Sequence, residues 1–185
     1  MPTVVHGFDW PDRVIVGTIG QPGSRTFYLQ AREGRRLISV RLEKEQSAAL
    51  AEKIEQILDE LMAEDGNPLG IPAEAMPELV DTAPLEPVDE QFRTGVLGVG
   101  WDPSTAQVIV QASSFPELDD DIDLESVDVS ELEPEEAMQV RMPVGTARAF
   151  VHATRVIVAA GHPSCPLCGR PMEPEGHVCT FSDEP

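Results

Sequence analysis

Short alternating apolar runs separated by turn residues fill the first part of the chain. RVIVGTIG (13–20) and RTFYLQA (25–31) flank QPGS and read as two strands joined by a turn. RLISVRL (36–42) follows after EGR and alternates as a half-buried strand does. The period then changes. EKEQSAALAEKIEQILDELMAE carries Leu50, Ile54, Ile57, Leu58 and Leu61 at helical spacing, with charges opposite.

The order strand, strand, strand, helix then recurs. TGVLGVGW (94–101) and AQVIVQA (106–112) flank DPST, and AMQVRM (137–142) leads into a second amphipathic segment. Phe150, Val151, Thr154, Ile157 and Val158 lie on one side of it; Pro143 suits its first turn, and Gly161 with Pro163 its end. Gly17–Ala31 aligns on Gly98–Ala112 without a gap, and Ile38–Leu58 on Met138–Val158. The offset moves from 81 to 100 through a 19-residue insertion in the second copy. Shared order and matched positions point to an internal duplication. The expected fold class is α+β: duplicated β-β-β-α units sharing antiparallel sheet structure, plus a short C-terminal zinc-knuckle or ribbon tail. The expected organisation is a first unit over 1–64, a connector over 65–91, a second unit over 92–161 and a metal-binding tail over 162–185.

The connector is rich in proline and acid, with Leu69, Ile71, Leu79 and Val80 as its expected anchors. The insertion, 116–136, holds 11 acidic residues and no basic one, and reads as a solvated loop. Asp119, Asp121 and Asp123 alternate there, but an EF-hand needs glycine sixth and glutamate twelfth, and this run has neither. A loop that screens the basic N-terminal region, released by salt, is a further expectation.

Charge sharpens this division. The net charge of −20 comes from 33 acidic against 13 basic residues, which disfavours nucleic acid and anionic membranes. Yet Arg25, Arg32, Arg35, Arg36, Arg41 and Lys44 crowd into 20 residues, whereas only Arg93 is basic between Lys53 and Arg141. Aromatic residues make up only 5%, so the core is expected to be aliphatic. No apolar run reaches the ~18 residues of a membrane span, and MPTVVHGFDW has no secretory-signal pattern, so a cytoplasmic protein is expected.

All three cysteines fall in CPLCGRPMEPEGHVC (165–179). Cys165 and Cys168, two residues apart and followed by Gly169, have the form of a zinc knuckle. His177 and Cys179 offer a second pair that shares one face if the segment is extended. Three thiolates and one imidazole make a closed, structural Zn2+ site. A disulfide framework would leave one cysteine over, and Pro166 disfavours a thioredoxin-type redox pair. His162 is a competing ligand. The tail is too short to bury a core, so metal is expected to organise it.

Catalytic signatures are missing. GVLGVG fails as a phosphate or dinucleotide loop, and there is no G-x-S-x-G elbow. His6 and His152 read as isolated, His152 as a surface or half-buried helix residue. Trp10 and Trp101 are expected to pack at strand ends.

HGFDWPDRVIVGTIGQPGSRTFYLQAREG, LVDTAPLEPVDEQFR and CPLCGRPMEPEGHVC resemble an uncharacterised actinobacterial repeat-protein family, a domain of unknown function, along nearly the whole chain. The resemblance implies an actinobacterial cytoplasm and brings no activity or catalytic residues. At the level of fold, FYLQAREGRRLISVRLEKEQSAALAEKIEQIL is similar to Pur/whirly-type repeats, which bind single-stranded nucleic acid on a basic, aromatic sheet. AQVIVQA has neither charge nor ring.

These features favour a non-catalytic zinc-binding protein, an interaction, adaptor or regulatory module. Arg25, Arg32, Arg35, Arg36 and Arg41 would contact an acidic protein or phosphorylated ligand; alternatively they pair with the chain's own acid. Single-stranded nucleic-acid binding through the basic hairpin is the second reading, and an enzyme the third.

Overall fold

Each alternating run becomes a strand because its two faces meet different surroundings. The computed structural model describes residues 2–21, 23–116, 133–160, 165–168, 172 and 179. Its elements are β1 (Val4–Asp9), β2 (Arg13–Ile19), β3 (Thr26–Glu33), β4 (Arg36–Leu42), α1 (Lys44–Met62), a 3-10 turn (Pro77–Leu79), β5 (Glu90–Asp102), β6 (Gln107–Ser114), β7 (Glu136–Pro143) and α2 (Val144–Ala159). Most of the acidic insertion, 117–132, lies outside the described residues, and with it the calcium and loop-screening expectations.

The strands form a seven-stranded sheet in the order β1-β7-β6-β5-β4-β3-β2. Within β2-β3-β4 and β5-β6-β7 the pairing is antiparallel. The expectation of an antiparallel shared sheet needs correction, because β4 pairs with β5, and β1 with β7, in parallel. β1 itself is an addition to the expected elements.

Both helices cover one face. On that side Val16, Leu29 and Val40 stand in register, as do Val110, Val140 and Phe8, all buried. Leu50, Ala51, Ile54 and Leu58 of α1, with Ala147, Phe150 and Val151 of α2, complete the core. Asp59 pairs with Arg148 and Glu55 with Arg155, so the helices run in opposite directions. Gln46 and Glu43 close a capping box that starts α1. No helix among the described residues is long and apolar enough to cross a membrane.

The sheet also curls. Arg36 lies over the Phe8 ring, 4.1 Å from its centroid, and donates to the Gly7 carbonyl, although β1 is the far edge strand.

On the opposite face of β2 and β3 lies the connector. Arg13 donates to Asp81 (2.6 Å) and to the carbonyls of Ala83 and Pro84 (2.7 and 2.9 Å). Gln30, only 2% exposed, grips the Glu86 backbone with both ends of its amide: Nε2 donates to the carbonyl (3.1 Å) and Oε1 accepts from the N–H (2.9 Å). Leu85 presses on Gly17 so closely that a Cβ there would meet Leu85 Cγ at 2.4 Å. Of the expected anchors, Ile71 enters the core at 2% exposure. Leu69 and Leu79 stay exposed, although Leu79 lies close to Gly145 of α2, and Val80 is half-buried, so Leu85 and hydrogen bonds share the anchoring with Ile71.

Two smaller expectations also change. Trp10 is 64% exposed with φ of 54°, while Trp101 does pack against the core. His6 is not isolated: its Nε2 lies 2.7 Å from Glu136 Oε2, which also accepts from Gln91.

The Arg13 hydrogen bond holds the Asp81 carboxyl below the usual carboxylate range. A lowered folded pKa stabilises above the unfolded value, about pH 4, and that stabilisation is lost as pH falls through the folded value. Asp81→Asn is therefore expected to lower stability at pH 6 by about 1 kcal/mol, a modest figure because the side chain keeps contact with water. The gap between denaturant melts of wild type and variant should narrow as pH falls below 4; a gap that stays constant down to pH 2 contradicts the assignment.

Candidate metal centre

The C-terminal cysteines come together. Cys165, Cys168 and Cys179 place their sulfurs within 4.8 Å of one another, and the Cys165 and Cys179 sulfurs are 3.7 Å apart. All three are free thiols. A turn over Pro166, Leu167 and Cys168 brings two of them together, so the two-residue spacing acts as expected. Cys165 is buried at 6% exposure. Backbone N–H groups of Cys168 and then Leu167 donate to its sulfur and lower its pKa from 9.0 to about 6. Such donation stabilises a thiolate, the form in which cysteine ligates metal. The cluster could thus hold a metal ion. His177, the expected fourth ligand, and the competing His162 lie outside the described residues.

The five expected contact arginines do not share one free face. Arg25 donates to the Ile157 carbonyl near the end of α2 (3.0 Å) and lies over Phe27. Arg32 pairs with Glu86 (3.0 Å), and Arg36 with Glu33 (2.9 Å). Arg41 is half-buried. Arg35 is exposed and makes no ion pair among the described residues. Three of the five thus have intramolecular partners, several of them distant in sequence.

Other shifted carboxyls serve structure. Asp102 lies well below its ordinary range through hydrogen bonds from Ser104 and then Arg141, and Glu136 is lowered chiefly by His6. Two cavities flank the connector. One, about 740 Å³, is lined in part by Glu55, Glu74, Arg148, His152 and Arg155. The second, about 370 Å³, lies between Gly17, Leu85 and Val156. Sequence periodicity gave no sign of either, because both are walled by the connector. His152 is exposed, as expected.

A family model described as "Protein of unknown function (DUF3090)" matches residues 6–179, which include both helices, the full sheet from His6 onward and all three cysteines. No curated protein and no solved structure matches the chain.

The lowered Cys165 pKa has a direct readout in the chelator-treated chain. Ultraviolet thiolate absorbance is expected to show a component titrating near pH 6 that disappears in Cys165→Ser. A single rise near 9 in both proteins contradicts the arrangement.

Proposed function

The chain belongs to the DUF3090 family, and we propose that it is a non-catalytic zinc-binding protein of the cytoplasm, acting as an interaction or adaptor module. The convergence of three thiols carries this reading. A tetrahedral ion with Zn–S bonds of about 2.3 Å separates its sulfurs by about 3.8 Å. The Cys165–Cys179 spacing of 3.7 Å fits that edge, and it is far beyond the ~2.05 Å of a disulfide. His177 completes the set as the fourth ligand, leaving no open position for a reactive water. Bound zinc holds thiolates together and so organises the tail.

An interaction role is favoured over nucleic-acid binding by the state of the arginines. Arg32 and Arg36 are already ion-paired, and the net charge is −20. Arg35 remains the outward cation of the hairpin for an acidic or phosphorylated partner. Structural partners of the shifted carboxyls support a non-catalytic role.

We further read β2-β3-β4-α1 and β5-β6-β7-α2 as two copies of one unit. Leu42 and Met142 each stand two residues before their helix, and strand register then matches Gln30 with Gln111 and Ser39 with Gln139. The first strand differs from the gapless alignment. Register matches Gly17 with Gly100, not Gly98, because the loop after β2 spans 20–25 and that after β5 only 103–106.

Purified without chelator, the chain is expected to carry one zinc per molecule by elemental analysis. Cys165→Ser and Cys168→Ser should each abolish stoichiometric binding. His177→Ala should weaken it by at least about tenfold, as loss of a direct ligand would, and His162→Ala should not. Metal-free protein with unchanged thiol accessibility before and after chelation contradicts the proposal.

A further inference from the structure

The two halves of the sheet differ in what lies on the face away from the helices. On β2 and β3 the connector occupies it, held through Gln30, Gly17, Arg13 and Arg32. On β5 and β6 the register-matched positions form an open trough of about 370 Å³, lined by Val96, Gly98, Gly100, Ile109, Gln111 and Ser113. Among the described residues, no atom lies within 4 Å of a Cβ built at Gly100, the counterpart of Gly17, or at Gly98. Gln111, the counterpart of Gln30, is exposed. Among the described residues its amide makes only long contacts, 3.5 Å to Ser113 and 3.4 Å from Gln139, where Gln30 holds a peptide group at 2.9 and 3.1 Å. Val96 is 66% exposed.

We infer that the Gln111–Gly100 trough binds an extended, uncharged peptide of a partner protein. A leucine would rest on Gly100, and the backbone of the next residue would be gripped by the Gln111 amide, as Gln30 grips Glu86.

The chemistry of the occupant follows from two differences between the halves. Arg13, which holds Asp81, corresponds by register to Val96; Arg32, which holds Glu86, corresponds to Ser113. Both cations that receive the connector's acids are therefore replaced by neutral side chains. A carboxylate opposite Val96 or Ser113 would lose water without the arginine that Asp81 and Glu86 each find. That disfavours an acidic segment as occupant. It favours a segment with a neutral residue opposite Val96. Main-chain hydrogen bonds would supply affinity, and the glycine and valine positions selectivity. This inference rests on the interaction-module reading and names its partner class.

The test uses the full chain and a synthetic peptide, VNTAPLQPV, which is residues 80–88 with both acids made neutral. Calorimetry is expected to show binding, weakened at least about tenfold by Gly100→Val and by Gln111→Leu. The acidic parent VDTAPLEPV should bind more weakly than the neutral peptide. Both variants should keep the wild-type melting temperature and zinc content, since a Cβ at Gly100 meets no neighbour. No binding at about 1 mM peptide, or equal binding to the variants, overturns the inference. Binding seen only after deletion of residues 117–132 would assign the trough to the chain's own loop. A dimer abolished by Gly100→Val would assign it to a second copy. Either outcome overturns the partner assignment. Peptide failure with one zinc retained rejects the trough alone, whereas absence of zinc rejects the metal reading.

Discussion

A sheet with helices on one side leaves its other side to be covered by something else. Here the cover of β2 and β3 comes from the connector, and one side chain does most to seat it. The Gln30 amide is buried, so its donor and its acceptor must both be satisfied. The Glu86 peptide group satisfies both, with Ser39 as a further acceptor. Leu85 then fills the space that Gly17 leaves. An irregular segment is thereby fixed as a third layer, and the path into β5 is set. Next to β4 the chain enters the sheet as a parallel strand, which a tight hairpin cannot achieve.

The tail meets a different constraint. Backbone N–H groups aimed at Cys165 prepare a thiolate, and Cys168 and Cys179 stand close enough to share an ion with it. On the proposed reading a metal would join the three cysteines, while the trough on β5 and β6, uncovered among the described residues, would receive another chain.

Local periodicity was enough to read β2 to β7 and both helices, because each carries its own alternation or stripe. Val14 and Val16, or Leu50, Ile54 and Leu58, announce a face without help from distant residues. β1 does not. Val4 and Val5 are both exposed, and the strand exists because β7 lies beside it, more than a hundred residues away. The connector's seat was equally hidden, since Gln30 and Glu86 have nothing in their neighbourhoods that pairs them. Cysteine spacing, by contrast, reports geometry directly, and Cys165, Cys168 and Cys179 do converge. The arginines show the converse: a cationic cluster in sequence separates in space once Glu86, Gly7 and the Ile157 carbonyl claim its members.

Hydrogen exchange at the Glu86 amide tests the central claim most directly. Residues 81–89 have no regular secondary structure, so no ladder protects that N–H. The account predicts that it exchanges slowly, near the rate of β3, and that Gln30→Leu returns it to the rate of an unstructured peptide. Free exchange of Glu86 in the wild-type chain would contradict the account.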